Sequence, residues 1–199
     1  MRKSIILTFF WCFYFSLHSQ FLSDNSAIGV SFSGLGYNDA FHLVALEGDG
    51  TFWGKGFYSF GITYIYPLSK KFDLETGVEY SKNAYHFSGP YYPGLNESYD
   101  AFLSLIEIPV TARFNFWHFF FLNGGLLVDF DVSKDKYLDN QTGIGAILGV
   151  GAKYNFKKIP IGLFINPFVK FRPLIPFTKE KYHLHTMDNG FRISAVRIF

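Results

Sequence analysis

Six histidines, one cysteine and a scatter of acids and bases are what this chain has for chemistry. The closest histidine pair is His183-Leu184-His185, which could offer two metal ligands. A structural zinc site wants four ligands, and a catalytic one three plus water. His42 or His86 would have to supply the third from far along the chain, so exposed loop histidines and no metal are expected. His86 with Ser88, or His183 with Asp188, has the composition of a lipid-directed enzyme's base and its partner. No motif fixes their geometry, and the expectation is a non-enzyme without a cofactor. Cys12 is the single cysteine and falls in an apolar N-terminal run, which leaves the rest of the chain no thiol or disulfide chemistry. The stretch "GIGAILGVG" is no phosphate-cradling loop; it reads as small residues on a strand that give their neighbours room.

The charged residues follow a different logic, that of period two. In "SLIEIPVTARFNF", Ile106, Ile108, Val110, Ala112 and Phe114 share one parity, and Glu107, Thr111 and Arg113 the other. The same split places Glu75 and Glu79 opposite Leu74, Val78 and Tyr80, and Asp129 opposite Leu126 and Val128. Lys153, Lys170, Arg172 and Arg192 likewise lie opposite aliphatic neighbours. Were the charged parity to face lipid, each Lys or Arg near the midplane would cost about 2–4 kcal/mol. Ten such charges would exceed the roughly 5–15 kcal/mol by which a domain is stable. In a membrane barrel, then, this parity must face the lumen. Acids collect on the earlier strands (Glu75, Glu79, Glu107, Asp129) and bases on the later ones (Lys153, Lys170, Arg172, Arg192), with Arg113 the one base among the acids. Eight strands enclose a space that side chains just fill, so these nine residues are expected to pair into a polar plug without an open channel.

The elements that would carry them are strands throughout. Residues 1–20, "MRKSIILTFFWCFYFSLHSQ", have the basic start, short apolar run and polar exit of a secretory signal peptide, with cleavage expected near Ser19 or Gln20. Residues 21–199 then read as one domain. Strand-like stretches fall at about 26–35, 54–66, 72–85, 99–115, 118–131, 142–156, 160–172 and 188–199. The connections alternate between short (67–71, 116–117, 157–159) and long (36–53, 86–98, 132–141, 173–187), as in an outer-membrane barrel with short periplasmic turns and long external loops. The fold class expected is all-β, an eight-stranded antiparallel transmembrane β-barrel in up-and-down order. Its 21% aromatic and 17% charged residues suit that surface. Tyr64, Tyr66, Trp117, Tyr154, Phe156 and Phe199 fall at the inner strand ends, as an aromatic girdle would. Trp53, Tyr58, Tyr80, Phe102, Phe130 and Phe191 fall towards the outer ends. Pro109 and Pro167 interrupt strands that closure leaves without an edge, so a bulge or local unpairing is expected at each. The net charge of +2 gives no reason to propose nucleic acid.

Taken together, the signal peptide ending in "HSQ", the strand "LIEIPVTARF", the Gly-rich "GIGAILGVGAKYNF" and the terminal phenylalanine resemble a family. It is the outer-membrane β-barrel domain family of Bacteroidota, which includes PorT-type proteins and is similar in architecture to OmpX-like small barrels. The resemblance covers about residues 20–199. It implies a Gram-negative outer-membrane location, outer-membrane lipid as surroundings, and recognition by the barrel-assembly machinery through Phe199. Arg197 departs from that machinery's apolar C-terminal pattern. Envelope or secretion proteins are the partners it implies. The function expected is structural, adhesive or assembly-related, through external loops. A small-solute, porin-like channel or a lipid-modifying enzyme is the alternative.

Overall fold

The computed structural model describes residues 25–43, 50–89, 98–117, 119–134, 138–156, 158–178 and 182–199. The expected signal peptide lies outside the described residues, as does most of the 86–98 loop. Eight strands follow in order: β1 (Ala27–His42), β2 (Thr51–Pro67), β3 (Phe72–Ser88), β4 (Ser98–Phe116), β5 (Phe120–Asp131), β6 (Gly143–Asn155), β7 (Ile161–Pro176) and β8 (Leu184–Ile198). Each pairs antiparallel with the next, and β8 returns to β1 with Ala27 opposite Ile198, which closes the barrel.

The polarity of this barrel is inside-out. Outward positions at mid-strand are aliphatic and open to the surroundings, with Val30 at 62%, Ile62 at 57% and Leu148 at 55% exposure. Inward positions are charged and closed off: Glu107 is at 0% and Lys170 at 1%. A soluble barrel puts these two sets the other way round, because apolar burial drives its folding. Around a membrane barrel the outer set meets hydrocarbon and the inner set pairs with itself. The barrel is therefore of the transmembrane type.

Several strands run further outward than the sequence suggested. β1 reaches His42, and β8 begins at Leu184, where loops at 36–53 and 173–187 were expected. Gly, Asn and Asp between 34 and 39 look like turn formers, yet they serve a β-bulge. The β1–β8 register shifts between Gly34 and Tyr37, and Leu35 there takes φ +52°. Asn38 points inward, donating to the Ala84 carbonyl (3.0 Å) and accepting from the Gly56 amide (2.7 Å).

Both intramembrane prolines interrupt one ladder and leave the other whole. Pro109 pairs in register with Leu127, while on the β3 side pairing lapses between Thr76–Val110 and Glu79–Glu107 without any slip. Pro167 pairs with Phe191, and the β6 side lapses between Gly149–Phe168 and Ala152–Ile165. Local unpairing is the outcome, not a bulge. The bulge in β7 falls instead across Arg172–Leu174, where the β6 register jumps from Ile144–Ile175 to Ala146–Phe171.

β6 supplies the room that the inward side chains need. A Cβ on Gly151 would sit 2.3 Å from the Phe121 ring, and one on Gly149 would sit 2.4 Å from Asn166 Oδ1. The lumen is filled in layers. Ala27, Ile65, Phe121, Phe164 and Val196 form an apolar cluster toward the turns of the inner end. Ala40, Tyr85, Leu103, Leu105 and Leu184 form another toward the outer end. The charges lie between.

Candidate functional site

Among the described residues, six buried carboxylates and five buried cations line the lumen, most of them between the two apolar clusters. All nine residues singled out by parity are among them; Asp73 and Asp188 complete the set. The ion pairs run as one chain across the barrel. Arg113 meets Glu75 (2.5 Å), and Glu75 meets Arg192 (3.2 Å). Arg192 meets Glu79 (2.9 Å), Glu79 meets Lys170 (3.2 Å), and Lys170 meets Glu107 (2.5 Å). Glu107 then meets Arg172 (2.8 Å), which also faces Asp188 (2.6 Å) and, more loosely, Asp129 (3.7 Å). A second, shorter relay joins Lys153 to Asn115 (2.6 Å) and Asn115 to Asp73 (2.7 Å).

Aromatic rings buttress the cations. The Arg113 guanidinium lies 4.2 Å over Phe121 and 4.8 Å over Phe164, so the inner apolar cluster doubles as a cation–π platform. Lys170 and Arg192 both approach the face of Phe168. Most of these charges are held by partners from other strands, Asp129 the least closely, with apolar clusters toward either end. Such a layer can fasten the barrel; nothing in it presents a reactive atom to an outside molecule.

Asp188 does not form the pair with His183 that the sequence offered. It was considered as a partner for His183, but it points into the lumen against Arg172, and the alternative orientation of the Asn83 amide donates to it at 3.1 Å. His183 instead stacks edge-on with His185, ring centres 5.5 Å apart, and His185 Nδ1 lies 2.7 Å from the Pro173 carbonyl oxygen. Among the described residues, no three His, Cys, Asp or Glu side chains converge as a metal-holding group.

A second polar cluster stands outside the barrel, at its outer rim. His86 Nδ1 lies 2.7 Å from Asp100 Oδ1, and Lys55 Nζ lies 2.8 Å from Asp100 Oδ2. These two hydrogen bonds, the one from Lys55 first, hold the Asp100 carboxyl below its ordinary range. Ser88 shares the outward face of β3 with His86. The sequence carried His86 and Ser88 as a pair and missed Asp100, since only the β3–β4 register brings residue 100 opposite residue 86.

The six girdle positions look outward. Trp117 (51%), Tyr154 (55%) and Phe199 (61%) are exposed, as are Tyr66 and Phe156, while Tyr64 is half-buried with its hydroxyl 3.3 Å from Ser26 Oγ. Rings around the β4–β5 turn meet edge to face, Trp117 against Phe116 and Phe120. Trp117 itself takes φ +52° in that turn. Arg197 faces outward beside the inner end, and the Phe199 amide donates to the Ser26 carbonyl at 3.0 Å.

No family model matches the chain, and no curated protein matches it. Among solved structures it is similar to the crystal structure of the outer membrane protein OprG from Pseudomonas aeruginosa. The TM-score is 0.47 and the identity 10%, over 89% of this chain and 96% of that one.

Proposed function

We propose that the chain is an integral outer-membrane barrel, closed by its own charges, that works through its external loops in a structural, adhesive or assembly role. The observation that carries this reading is the polarity: an exposed aliphatic belt around a lumen of paired charges. A water-filled channel would leave those charges solvated, whereas here a continuous ion-pair chain lies between two apolar layers. The girdle residues and Arg197 fit a headgroup zone at the inner rim, where a long basic side chain snorkels. The likeness to the Bacteroidota barrel family, with Phe199 read by the assembly machinery and with envelope or secretion proteins as partners, belongs to the same proposal.

The test is gel mobility of detergent-extracted protein from fractionated envelopes, unheated and boiled. A closed barrel stays folded in cold SDS and shifts on boiling. A protein that is soluble without detergent and shows no shift refutes the reading.

One observation favours a second reading, that of a lipid-directed hydrolase. With Nδ1 of His86 held by Asp100, the other ring nitrogen is left to act as a base, and Ser88 lies two residues along the same face of β3. Ser88→Ala would then abolish acyl-ester hydrolysis by the purified barrel in mixed micelles. Wild-type protein that hydrolyses no phospholipid ends that reading.

A further inference from the structure

We infer that the outward face of β2–β4 at the outer rim is a binding site for the phosphate-bearing headgroup of an outer-leaflet lipid, held by Lys55, Lys82 and His86. This rests on the membrane-barrel reading of the preceding subsection.

Where charges stand on the outside of the barrel is the first observation. Among the described strand residues, the outward-facing Lys, Arg, Asp and Glu are Asp39, Lys55, Lys82, Asp100 and, at the opposite end, Arg197. Both outward lysines thus fall on adjacent strands in one patch. Height is the second. Lys82 lies ten residues along β3 from Phe72, the outward-facing first residue at that strand's inner end. A strand that rises about 3.3 Å per residue and tilts about 40° covers roughly 25 Å of membrane normal in that span, the height of the apolar band. Lys82 therefore emerges where hydrocarbon gives way to headgroups, with Lys55 and His86 one and two rows further out.

Arrangement is the third observation. Lys82 Nζ sits 5.3 Å over the Phe102 ring, two residues along β4 from Asp100. Asp100 takes one hydrogen bond from Lys55 and one from His86. A single carboxylate thus orders two basic groups from neighbouring strands, and Lys82 gives β2–β4 one outward cation beyond what Asp100 balances, the other outward carboxylate, Asp39, standing on β1. Trp53 and Tyr58, both outward and exposed, flank it as amphipathic rings do beside lipid headgroups. A dianionic or monoanionic phosphate ester is the group that lysines and an imidazole at this depth would meet and hold.

The experiment is retention of lipid by the folded barrel in detergent, counted by native mass spectrometry. The probe is a bis-phosphorylated glycolipid, set against its enzymatically dephosphorylated form. Wild-type barrel should keep the phosphorylated form and not the other. Lys55→Gln and Lys82→Gln should each weaken retention roughly 5-fold, and the double variant about 25-fold, the loss expected for removing one lysine at a time from an anionic lipid surface. Equal retention of both lipid forms overturns the site. So does undiminished retention by the double variant, or displacement of the lipid by millimolar inorganic phosphate, which would mark a free-anion site. Each variant is first checked for the cold-SDS mobility shift. A wild-type barrel without that shift refutes the membrane reading, whereas a shifting barrel that ignores lipid phosphate refutes this inference alone.

Discussion

Replacing Arg172 with methionine should be the most damaging single change in the lumen. Its side chain is at 0% exposure and faces Glu107 at 2.8 Å, Asp188 at 2.6 Å and Asp129 at 3.7 Å. After the change, Glu107 keeps Lys170, but Asp188 and Asp129 lose their nearest cation. Removing one partner of a buried pair costs about 3–5 kcal/mol, because the remaining charge stays in a low dielectric. With two carboxylates stranded, the upper part of that range is expected, against a total stability of about 5–15 kcal/mol. Urea unfolding in lipid vesicles, followed by the emission of Trp53 and Trp117, reads the loss directly. Arg197→Met, outward at the inner rim, should stay within about 0.5 kcal/mol of wild type. Adding Asp129→Asn and Asp188→Asn to Arg172→Met should recover most of the deficit, since the two stranded carboxylates are then neutral. If Arg172→Met falls within about 1 kcal/mol of wild type, the charges are solvated and the sealed layer does not exist.

Other consequences are as accessible. In planar bilayers the wild-type barrel should show no steady single-channel conductance, and sustained current steps would favour the solute-channel alternative. Gly151→Leu should drive into the Phe121 ring and cost about 1–3 kcal/mol in the same unfolding assay; a neutral result would mean that the inner apolar cluster is loosely filled. At the rim, the Asp100 carboxyl titrates below its ordinary 3.8 because Lys55 and His86 donate to it. Its pairing therefore contributes fully above that ordinary value and is lost only as pH falls through the depressed one. Carboxyl chemical shifts across an acid titration should still show Asp100 charged when unpaired aspartates are half protonated, and a normal midpoint would refute the pairing.

Much of this molecule is legible in its sequence because strand periodicity carries two signals at once. The alternation of Glu107 and Arg113 with Ile106, Ile108 and Val110 gives the strand, and the cost of misdirected charge gives its orientation. Strand ends were less legible. Gly34, Gly36, Asn38 and Asp39 have turn chemistry, but in this barrel they build a bulge and an inward hydrogen-bonding post, so β1 extends past them. Asp188 was visible as a charge and misread in role, because its partner Arg172 lies on another strand and only the β7–β8 register brings the two elements together. Asp100 was missed for the same reason. Parity tells which face a residue occupies, whereas register tells whom it meets, and register depends on bulges such as the one across Arg172–Leu174.

The long reach of the lumen pairs bears on how the barrel can form. Arg192 of β8 bridges Glu75 and Glu79 of β3, and its bond to Glu75 joins residues 117 apart in sequence. A sheet zipped from β1 to β7 would hold Glu75 with Arg113 alone, and Glu79 without Arg192, facing an open slot. The last strand adds one base and one acid, and with them completes the pairs on both sides of the slot: Arg192 with Glu75 and Glu79, and Asp188 with Arg172. Closure is therefore rewarded in one step, and a half-zipped sheet gains little from lingering in the bilayer. In that sense the lumen pairs act as a latch: they distinguish a finished barrel from an unfinished one by whether its charges have met.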